Sequence, residues 1–394
     1  HSRVGNHPEV RGEYPVTALP DEILTPGDGQ VRAMITVAGN PALSIPDSAR
    51  VEKALGSLEF MVCVDPYRNE TTRFANVILP PPGALERSDY HLAFFSLAVH
   101  NFAEWSPAVF DAAGPQEHEI LGRLALIATG PQVGDDPTAL DEMLVRGALD
   151  GAIAAPDSPI ADRSVDELLE IVRHDSSRSA VDQVVDIMIR TGAYGDWFGA
   201  VPDGLSLDSL AAAPHGIDLG PLTPRLPAAL RTESGTIELG NATILADLAR
   251  LADALVAREA APADPDALVL IGRRHLRSNN SWMHNVEVLV KGRERCTLQV
   301  HPDDAARLGL AAGASARVSS RVGSVVAPVE ITDEVRRGVV SLPHGWGHDR
   351  PGSSTAVASN RPGVNSNLLT DPAGIDPLSG NAVLNGIPVT VQPA

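Results

Sequence analysis

Two apolar runs separated by a helical segment constrain the fold of the first 80 residues more than any other feature. Residues 31–38 and 60–64 are almost continuously apolar, and residues 48–57 between them carry apolar side chains at helical spacing after Asp47. A third short run at 76–79 stops at three prolines. Strands that are apolar throughout are typical of parallel sheets with helices on their faces. The pattern therefore predicts such a sheet, with residues 31–38 as a buried strand.

The sequence around this sheet is less regular. Residues 1–30 are rich in Pro and Gly, which predicts an extended surface segment. Apolar residues at three- and four-residue spacing predict helices over 116–129, 137–154, 164–174, 180–191 and 243–259. Residues 195–235 read as irregular, residues 236–239 as a short strand, and residues 260–265 as a linker.

The last third of the chain has a different pattern. Short apolar strands are predicted at 267–271, 296–300, 314–320, 324–331 and 338–342, with one small helix over 304–308 that ends at Gly309. Short strands joined by glycine turns are typical of a compact β-barrel. We therefore expect a Rossmann-like domain over 1–130, a helical extension and linker over 131–265, and a barrel domain over 266–394.

Charge and cysteine content exclude several classes of protein. The 394 residues carry a formal net charge of −19, which opposes general nucleic-acid binding. No apolar run approaches the roughly 18 residues of a membrane span, and we expect a cytoplasmic protein. The two cysteines, Cys63 and Cys296, lie far apart in apolar runs, which predicts buried thiols and excludes a disulfide framework. Residues 266–394 are not acidic overall, since they carry 13 basic and 11 acidic residues.

A turn and an acidic residue follow neighbouring strands of the predicted sheet. Gly39-Asn40-Pro41 ends the first strand, and Asp65 ends the second. Ligands of open α/β sheets bind at this edge, where a glycine admits a phosphate and a carboxylate accepts from a ribose or guanine group. No G-x-G-x-x-G motif is present, so a nucleotide site and an ordinary turn both remain open.

The densest polar stretch of the chain, residues 272–285, follows the first strand of the predicted barrel. It contains three Arg, two His, three Asn, two Ser and one Trp. Arginine forks and amides bind phosphates and heterocycle edges, and a tryptophan stacks on a ring. A binding loop is favoured over a solvated loop.

Two further loops carry polar residues and glycine. In residues 343–348, His344 and His348 could suggest a metal site, but no third ligand is evident, and a glycine-rich loop whose backbone meets a ligand is the better interpretation. Residues 360–367 form a similar polar loop. No nucleophile with a convincing base is present.

Five motifs then follow one another in order. They are GNP at 39–41, ETTRFANVILP at 70–80 after Asp65, SGTIEL at 234–239, HPDDAARLGL at 301–310 and NSNLLT at 365–370. This set resembles the C-terminal half of the molybdopterin oxidoreductases, the group of formate dehydrogenases, nitrate reductases and dimethyl sulfoxide reductases. Two positions depart from that pattern: Asn76 stands in place of Asp, and LERSD at 85–89 replaces the common E-x-x-G-T.

The resemblance implies a fold, a cofactor and its contacts. The fold would be a Rossmann-like parallel-sheet domain with a helical extension, followed by a six-stranded double-psi-type β-barrel. The cofactor would be bis-molybdopterin guanine dinucleotide with molybdenum or tungsten. The implied cofactor-binding residues are Gly39, Asn40, Pro41, Asp65, Thr72, Arg273, His275, Ser278, Asn279, Asn280, Ser281, Trp282, His301, His344 and Asn367. The cationic loop with Arg273, Arg274 and Arg277 would cover the pyrophosphates.

The resemblance also implies what lies outside this chain. We expect the C-terminal portion of a longer oxidoreductase, inactive alone, whose N-terminal half or electron-transfer partner supplies an iron–sulfur cluster and the protein ligand to the metal. Its substrate would be a small molecule. Two other hypotheses stay open: a cofactor-binding module without activity of its own, and a nucleotide-binding protein without molybdenum.

Overall fold

The computed structural model describes residues 1–130, 137–174, 178–260 and 267–394. By packing, the chain divides into two compact units, His1–Pro80 with Glu238–Ala394, and Pro81–Ile237. The predicted domain boundaries at 130 and 265 stay predictions, because packing groups segments that are distant in sequence. The predicted linker lies outside the described residues except for Ala260.

The first 80 residues form a small parallel sheet with helical cover. The helices are α1 (Leu19–Leu24), α2 (Pro41–Ser44) and α3 (Ser48–Leu55), and the strands are β1 (Ala33–Val37), β2 (Phe60–Val64) and β3 (Val77–Leu79). The strand order is β1-β2-β3, with both pairs parallel, which confirms the predicted sheet. The side chain of Asp47 accepts a hydrogen bond from the Arg50 N–H and so begins α3 as predicted.

Four details of the sequence interpretation were wrong. Residues 195–235 are not wholly irregular, because they contain a short helix at Leu207–Ala211 and a two-residue strand at Ile217–Asp218. Strand β1 is not buried: Ile35 is 50% exposed, because the helices pack on the opposite face, against Met34. Residues 1–30 are not all extended, since α1 forms with Pro20 in its first turn and buries Ile23. Residues 236–239 are not a strand, since no described strand pairs with them there.

The second unit is mainly helical. Its elements are β4 (Asp89–Tyr90), β5 (Phe102–Ala103), β6 (Trp105–Ser106), α4 (Glu117–Thr129), α5 (Pro137–Ile153), α6 (Val165–Arg173), α7 (Ala180–Arg190), α8 (Leu207–Ala211) and β7 (Ile217–Asp218). The four predicted helices of this region are confirmed. Ser164 and Ser179 cap α6 and α7 by accepting backbone N–H groups, and Leu149, Leu168 and Val172 fill the core.

The C-terminal region forms a closed barrel. Its elements are α9 (Ala242–Ala260), β8 (Leu268–Arg273), α10 (Glu287–Val290), β9 (Leu298–Val300), α11 (Pro302–Leu308), β10 (Ser315–Ser319), β11 (Ser324–Ile331), β12 (Val339–Pro343) and β13 (Ile387–Pro393). The closed order is β10-β11-β9-β12-β8-β13. Two pairs, β8–β12 and β9–β11, are parallel, and the other four pairs are antiparallel. The six-stranded barrel was predicted, although the sequence analysis placed no strand where β13 forms.

Glycine and alternating burial explain the local form of the barrel. Gly309 ends α11 with φ +67°, a conformation that L side chains rarely adopt. Along β10 and β11 every second side chain is buried, and these residues join Leu298, Val300 and Leu342 in one core. No described helix is both long enough and apolar enough to cross a membrane.

Candidate functional site

A cleft of about 510 Å³ opens where the carboxyl end of β1 meets the loops of the barrel. The turn after β1 contributes Gly39 and Asn40, and the loop after β8 contributes Asn280, Ser281 and Trp282. Further lining residues come from the later loops, among them His344, Gly345, Asn367, Thr370 and Asn385. The structure therefore brings together seven of the predicted site residues, from positions as far apart as 39 and 367.

Two barrel loops are locked together at the cleft wall. The His344 Nε2 and Asn280 Oδ1 atoms lie 2.9 Å apart. Gly345 has φ +82°, and a Cβ atom there would lie 2.5 Å from the Asn280 carbonyl oxygen. Only glycine permits this approach of the loop backbone to the neighbouring loop. The expected contact of residues 343–348 with a ligand stays a prediction.

The loop at 365–370 ties the barrel to the helices that follow β1. The Asn365 amide donates to the Ala42 carbonyl (3.2 Å) and the Ser48 hydroxyl (2.8 Å). The Asn367 amide donates to the Leu43 carbonyl at 2.7 Å. These bonds position the loop, so Asn367 lines the cleft with its amide already engaged.

Asp65 and Thr72 shape the turn after β2 and do not line the cleft. Asp65 is buried, and its carboxylate accepts from the Tyr67 N–H (2.8 Å) and the Asn69 amide (3.0 Å). Burial raises the pKa of Asp65, although both hydrogen bonds oppose this rise. The Thr72 hydroxyl donates to the Tyr67 carbonyl and accepts from the Asn69 N–H.

Most of the remaining predicted site residues form hydrogen bonds with backbone groups of the protein. The Arg273 guanidinium donates to the carbonyls of Thr297 and Ser341, both at 3.0 Å, and burial lowers its pKa. The buried Ser278 hydroxyl donates to the carbonyl of His275. His301 caps α11 by accepting the Asp303 N–H. None of these side chains lines the cleft. The same is true of Pro41, which lies in the first turn of α2, and of Asn279, which is exposed with φ +39°.

Behind the cleft wall lies a buried network that the sequence analysis missed. Asn40 donates to Glu70 Oε2 (2.9 Å) and accepts from the Thr71 hydroxyl (2.6 Å). Glu70 Oε1 lies 2.9 Å from His348 Nδ1, and His348 Nε2 lies 2.8 Å from His284 Nδ1. The only sequence signal was that Glu70 and His348 both fall in conspicuous motifs.

The electrostatics of this network follow from burial and contact. Burial acts to raise the pKa of Glu70, but the hydrogen bond and charge of His348, with the Asn40 amide, outweigh it and lower that pKa. Burial, followed by the charge of His348, lowers the pKa of His284 to about 3. His284 stacks on Trp346 with ring centroids 3.9 Å apart. Because Glu70 is a carboxylate at neutral pH, His348 Nδ1 is the donor.

Among the described residues, no group of three or more His, Cys, Asp or Glu side chains could hold a metal ion. His344 and His348 engage Asn280 and Glu70 rather than a shared centre.

Two models of known families match parts of this chain. Residues 12–112 match the molybdopterin oxidoreductase family, and residues 268–388 match the molybdopterin dinucleotide-binding domain. This chain belongs to the molybdopterin oxidoreductase family. The second match spans the barrel from β8 into β13, and the cofactor of such domains is bis-molybdopterin guanine dinucleotide with molybdenum.

Relatives of this molybdopterin oxidoreductase chain are distant and longer. Biotin sulfoxide reductase from Cereibacter sphaeroides is 26% identical over 85% of this chain and 43% of its own length. The alpha subunit of NADPH-Fe(3+) oxidoreductase from Geobacter sulfurreducens is 23% identical over 85% of this chain and 29% of its own. Acetylene hydratase from Pelobacter acetylenicus shares the fold, with a TM-score of 0.63 and 18% identity over 97% of this chain and 47% of its own. The chain thus spans less than half of each relative.

The cleft of this family member fits the dinucleotide cofactor. Arg274, Ser281 and Trp282 line it, and their side chains make no hydrogen bond or salt bridge with another described residue. A cation, a hydroxyl and an indole ring left available in one cleft suit a pyrophosphate and a planar heterocycle. Asn385 was missing from the predicted site residues, whereas Arg274 was predicted as part of the cationic loop over the pyrophosphates. Asn385 comes from the loop before the unpredicted β13, where its side-chain oxygen accepts the Gly272 N–H.

Proposed function

We propose that this chain is the cofactor-holding C-terminal portion of an enzyme that carries out two-electron oxidation or reduction of a small substrate. The cleft between the turn after β1 and the barrel loops supports this proposal most directly, since polar groups from both elements converge there. Bound in that cleft, the metal and its pterin dithiolenes would supply the redox chemistry.

The residues of this chain would hold and orient the cofactor. Gly39 and Gly345 leave backbone open to a ligand, Arg274 offers a positive charge, and Trp282 offers a ring face. Asn280 and His344 brace each other at 2.9 Å and would keep their loops in place. Such preorganisation limits the ordering that binding requires.

Residues outside the cleft would act indirectly. Asp65 and Thr72 fix the turn after β2, and Arg273 and Ser278 fix the loop after β8. His275, half-buried beside four arginines, accepts the Arg277 N–H at its Nδ1 atom. We propose that these residues position the cofactor-binding loops and that His301 serves the barrel fold.

The proposal includes components outside this chain. An N-terminal region of the same enzyme or an electron-transfer partner would supply the metal ligand and an iron–sulfur cluster, in the cytoplasm. Tungsten could replace molybdenum, because the residues of the cleft do not contact the metal in the proposed arrangement.

The test uses the intact native protein that contains this chain, purified without oxygen. We expect molybdenum or tungsten by elemental analysis, a fluorescent pterin after oxidation, and guanosine monophosphate after mild hydrolysis. Substitution of Trp282 by Ala should reduce pterin content severalfold, whereas Leu276→Ala, at a fully exposed position of the same loop, should not. Absence of both metal and pterin would contradict the proposal, and a loaded protein that cannot be reduced by any donor would favour a storage or assembly module.

A further inference from the structure

A cluster of basic side chains lies on the barrel loops beside the cofactor cleft but does not line it. We call it the basic patch, and its members are Arg277, Lys291, Arg293, Arg295 and Arg361. The chain as a whole carries a net charge of −19, so this concentration of positive charge is local.

Hydrogen bonds to one loop hold the patch together. The Arg295 guanidinium donates to the carbonyls of Leu289 (2.9 Å) and Lys291 (3.1 Å). The Arg361 guanidinium donates to the carbonyls of Val290 (2.7 Å) and Gly292 (2.9 Å). Burial first, and then the charges of Arg277, Arg293 and Arg361, lower the pKa of Arg295, so these cations lie close together.

The charges of the patch are only partly compensated by nearby carboxylates. Among the described residues, none of the five forms a salt bridge with a carboxylate. Exposed arginines elsewhere do pair, such as Arg250 with Asp247 at 2.6 Å. Glu294 lies in the same loop, where its carboxylate accepts the backbone N–H groups of Arg295 and Cys296 and its charge acts to raise the pKa of Arg295. Five basic side chains beside the two carboxylates of Glu287 and Glu294 leave an excess of positive charge, which favours the binding of an anion.

A groove of about 340 Å³ adjoins the patch. Val290, Ala356 and Val357 give it an apolar lining, and Lys291 and Arg361 of the patch reach it. Glu287 and Asn360 also line it, and the Asn360 amide donates to the Ala356 carbonyl. The groove is large enough for one apolar side chain, flanked by positive charge.

We propose that the basic patch and this groove dock an acidic segment of a partner protein. Its carboxylates would contact Lys291, Arg293 and Arg361, and one apolar side chain would occupy the groove. An acidic partner is repelled by most of this chain, so electrostatic steering would direct it to this surface. The anchor side chain favours a protein segment over a bare polyanion, because a polyphosphate has nothing to place against the apolar lining.

The test measures peptide binding to the intact protein and does not depend on its metal. The probe is a fluorescein-labelled peptide of Glu and Asp with one central Leu, followed by fluorescence anisotropy. We expect the double variant K291E/R293E to bind it at least tenfold more weakly, and added salt to weaken binding further. Arg317→Glu is the matched control, since Arg317 is exposed on β10 and also lacks a salt bridge.

Several outcomes would overturn the proposal. These are no measurable binding, an equal loss in Arg317→Glu, or equal affinity for a peptide with Ser in place of Leu. Displacement of the peptide by guanosine diphosphate, together with loss of pterin from K291E/R293E, would assign the patch to cofactor phosphates instead. A protein without metal that still binds the peptide at this patch would support the docking surface while contradicting the proposed redox function.

Discussion

His348 Nδ1 lies 2.9 Å from Glu70 Oε1, although 278 residues separate them in the chain. Glu70 lies in the loop between β2 and β3 and His348 in a barrel loop, so this contact joins the two halves of the cleft. Both side chains are at least 96% buried, which makes the bond between them costly to lose.

Replacing Glu70 by Gln should weaken this connection. The neutral amide cannot accept a charge-assisted bond from His348 while keeping its bond with Asn40 equally strong. We therefore expect the free energy of unfolding to fall by roughly 1.5–3 kcal/mol. Native-state hydrogen exchange at residues 344–348 measures the loss. Glu59→Gln is the control, because Glu59 pairs with Arg32 in solvent. An equal effect of the two variants would contradict the importance of the buried contact.

Acid should destabilise the barrel through His284. The native ring has a pKa of about 3, against 6.5 for the free side chain, so below pH 6.5 the unfolded chain binds a proton that the native state does not. Stability therefore falls as pH falls from 6.5 toward 3. The lowered pKa of Glu70 adds a further loss below 4.5. In His284→Phe, the decline in thermal midpoint between pH 7 and pH 5 should be shallower.

The control for this pH dependence is His215→Phe, at an exposed position of the second unit. Its decline should match that of the unsubstituted protein. A parallel decline in His284→Phe would mean that other groups govern acid stability.

Alanine at Gly345 should open the cleft wall. Its Cβ atom would lie 2.5 Å from the Asn280 carbonyl oxygen, and the backbone there has φ +82°. In Gly309→Ala no atom lies within 4 Å of the new Cβ position. This variant should therefore lose only the stability that the left-handed backbone conformation costs an L residue, about 1–2 kcal/mol. We expect Gly345→Ala to lose more protection from hydrogen exchange, and also pterin content, whereas Gly309→Ala should keep its pterin. Equal pterin in both variants would contradict the assigned role of the Gly345 loop.

The second unit depends on a buried carboxylate. Asp186 is fully buried and accepts from Arg190 (3.0 Å), Arg178 (2.8 Å) and the Leu207 N–H (2.8 Å). Asp186→Asn removes the buried carboxylate that Arg178 and Arg190 share, leaves them with Asp196 and Asp208, and should cost roughly 1.5–3 kcal/mol. Asp166→Asn removes only the exposed pair with Arg146, and we expect at most about 1 kcal/mol. Hydrogen exchange in α7 measures the loss of stability in both variants. A small effect of Asp186→Asn would contradict the dependence of the second unit on this carboxylate.

The local elements were predictable because their causes are local. Ser164 and Ser179 cap helices through bonds to residues three positions later, and Gly309 ends α11 by its own backbone conformation. Apolar periodicity likewise revealed the strands β1 to β3 and most strands of the barrel. Burial was harder to predict, as Ile35 shows: an apolar run fixes a strand, but the packing of distant elements decides which of its faces is covered.

The sequence by itself determined the order of the elements, the family and the loops that carry polar residues. The tertiary structure alone decided which of those residues share a cleft. His301 and Asn367 stand in equally specific motifs, yet one caps a helix and the other lines the cleft. The contact of Glu70 with His348 and the close packing of Gly345 against Asn280 join residues that are distant in the sequence. They form only when those segments pack together. The sequence gives the chemistry of each side chain directly. Residues that are distant in the sequence come close to one another only when the whole chain packs.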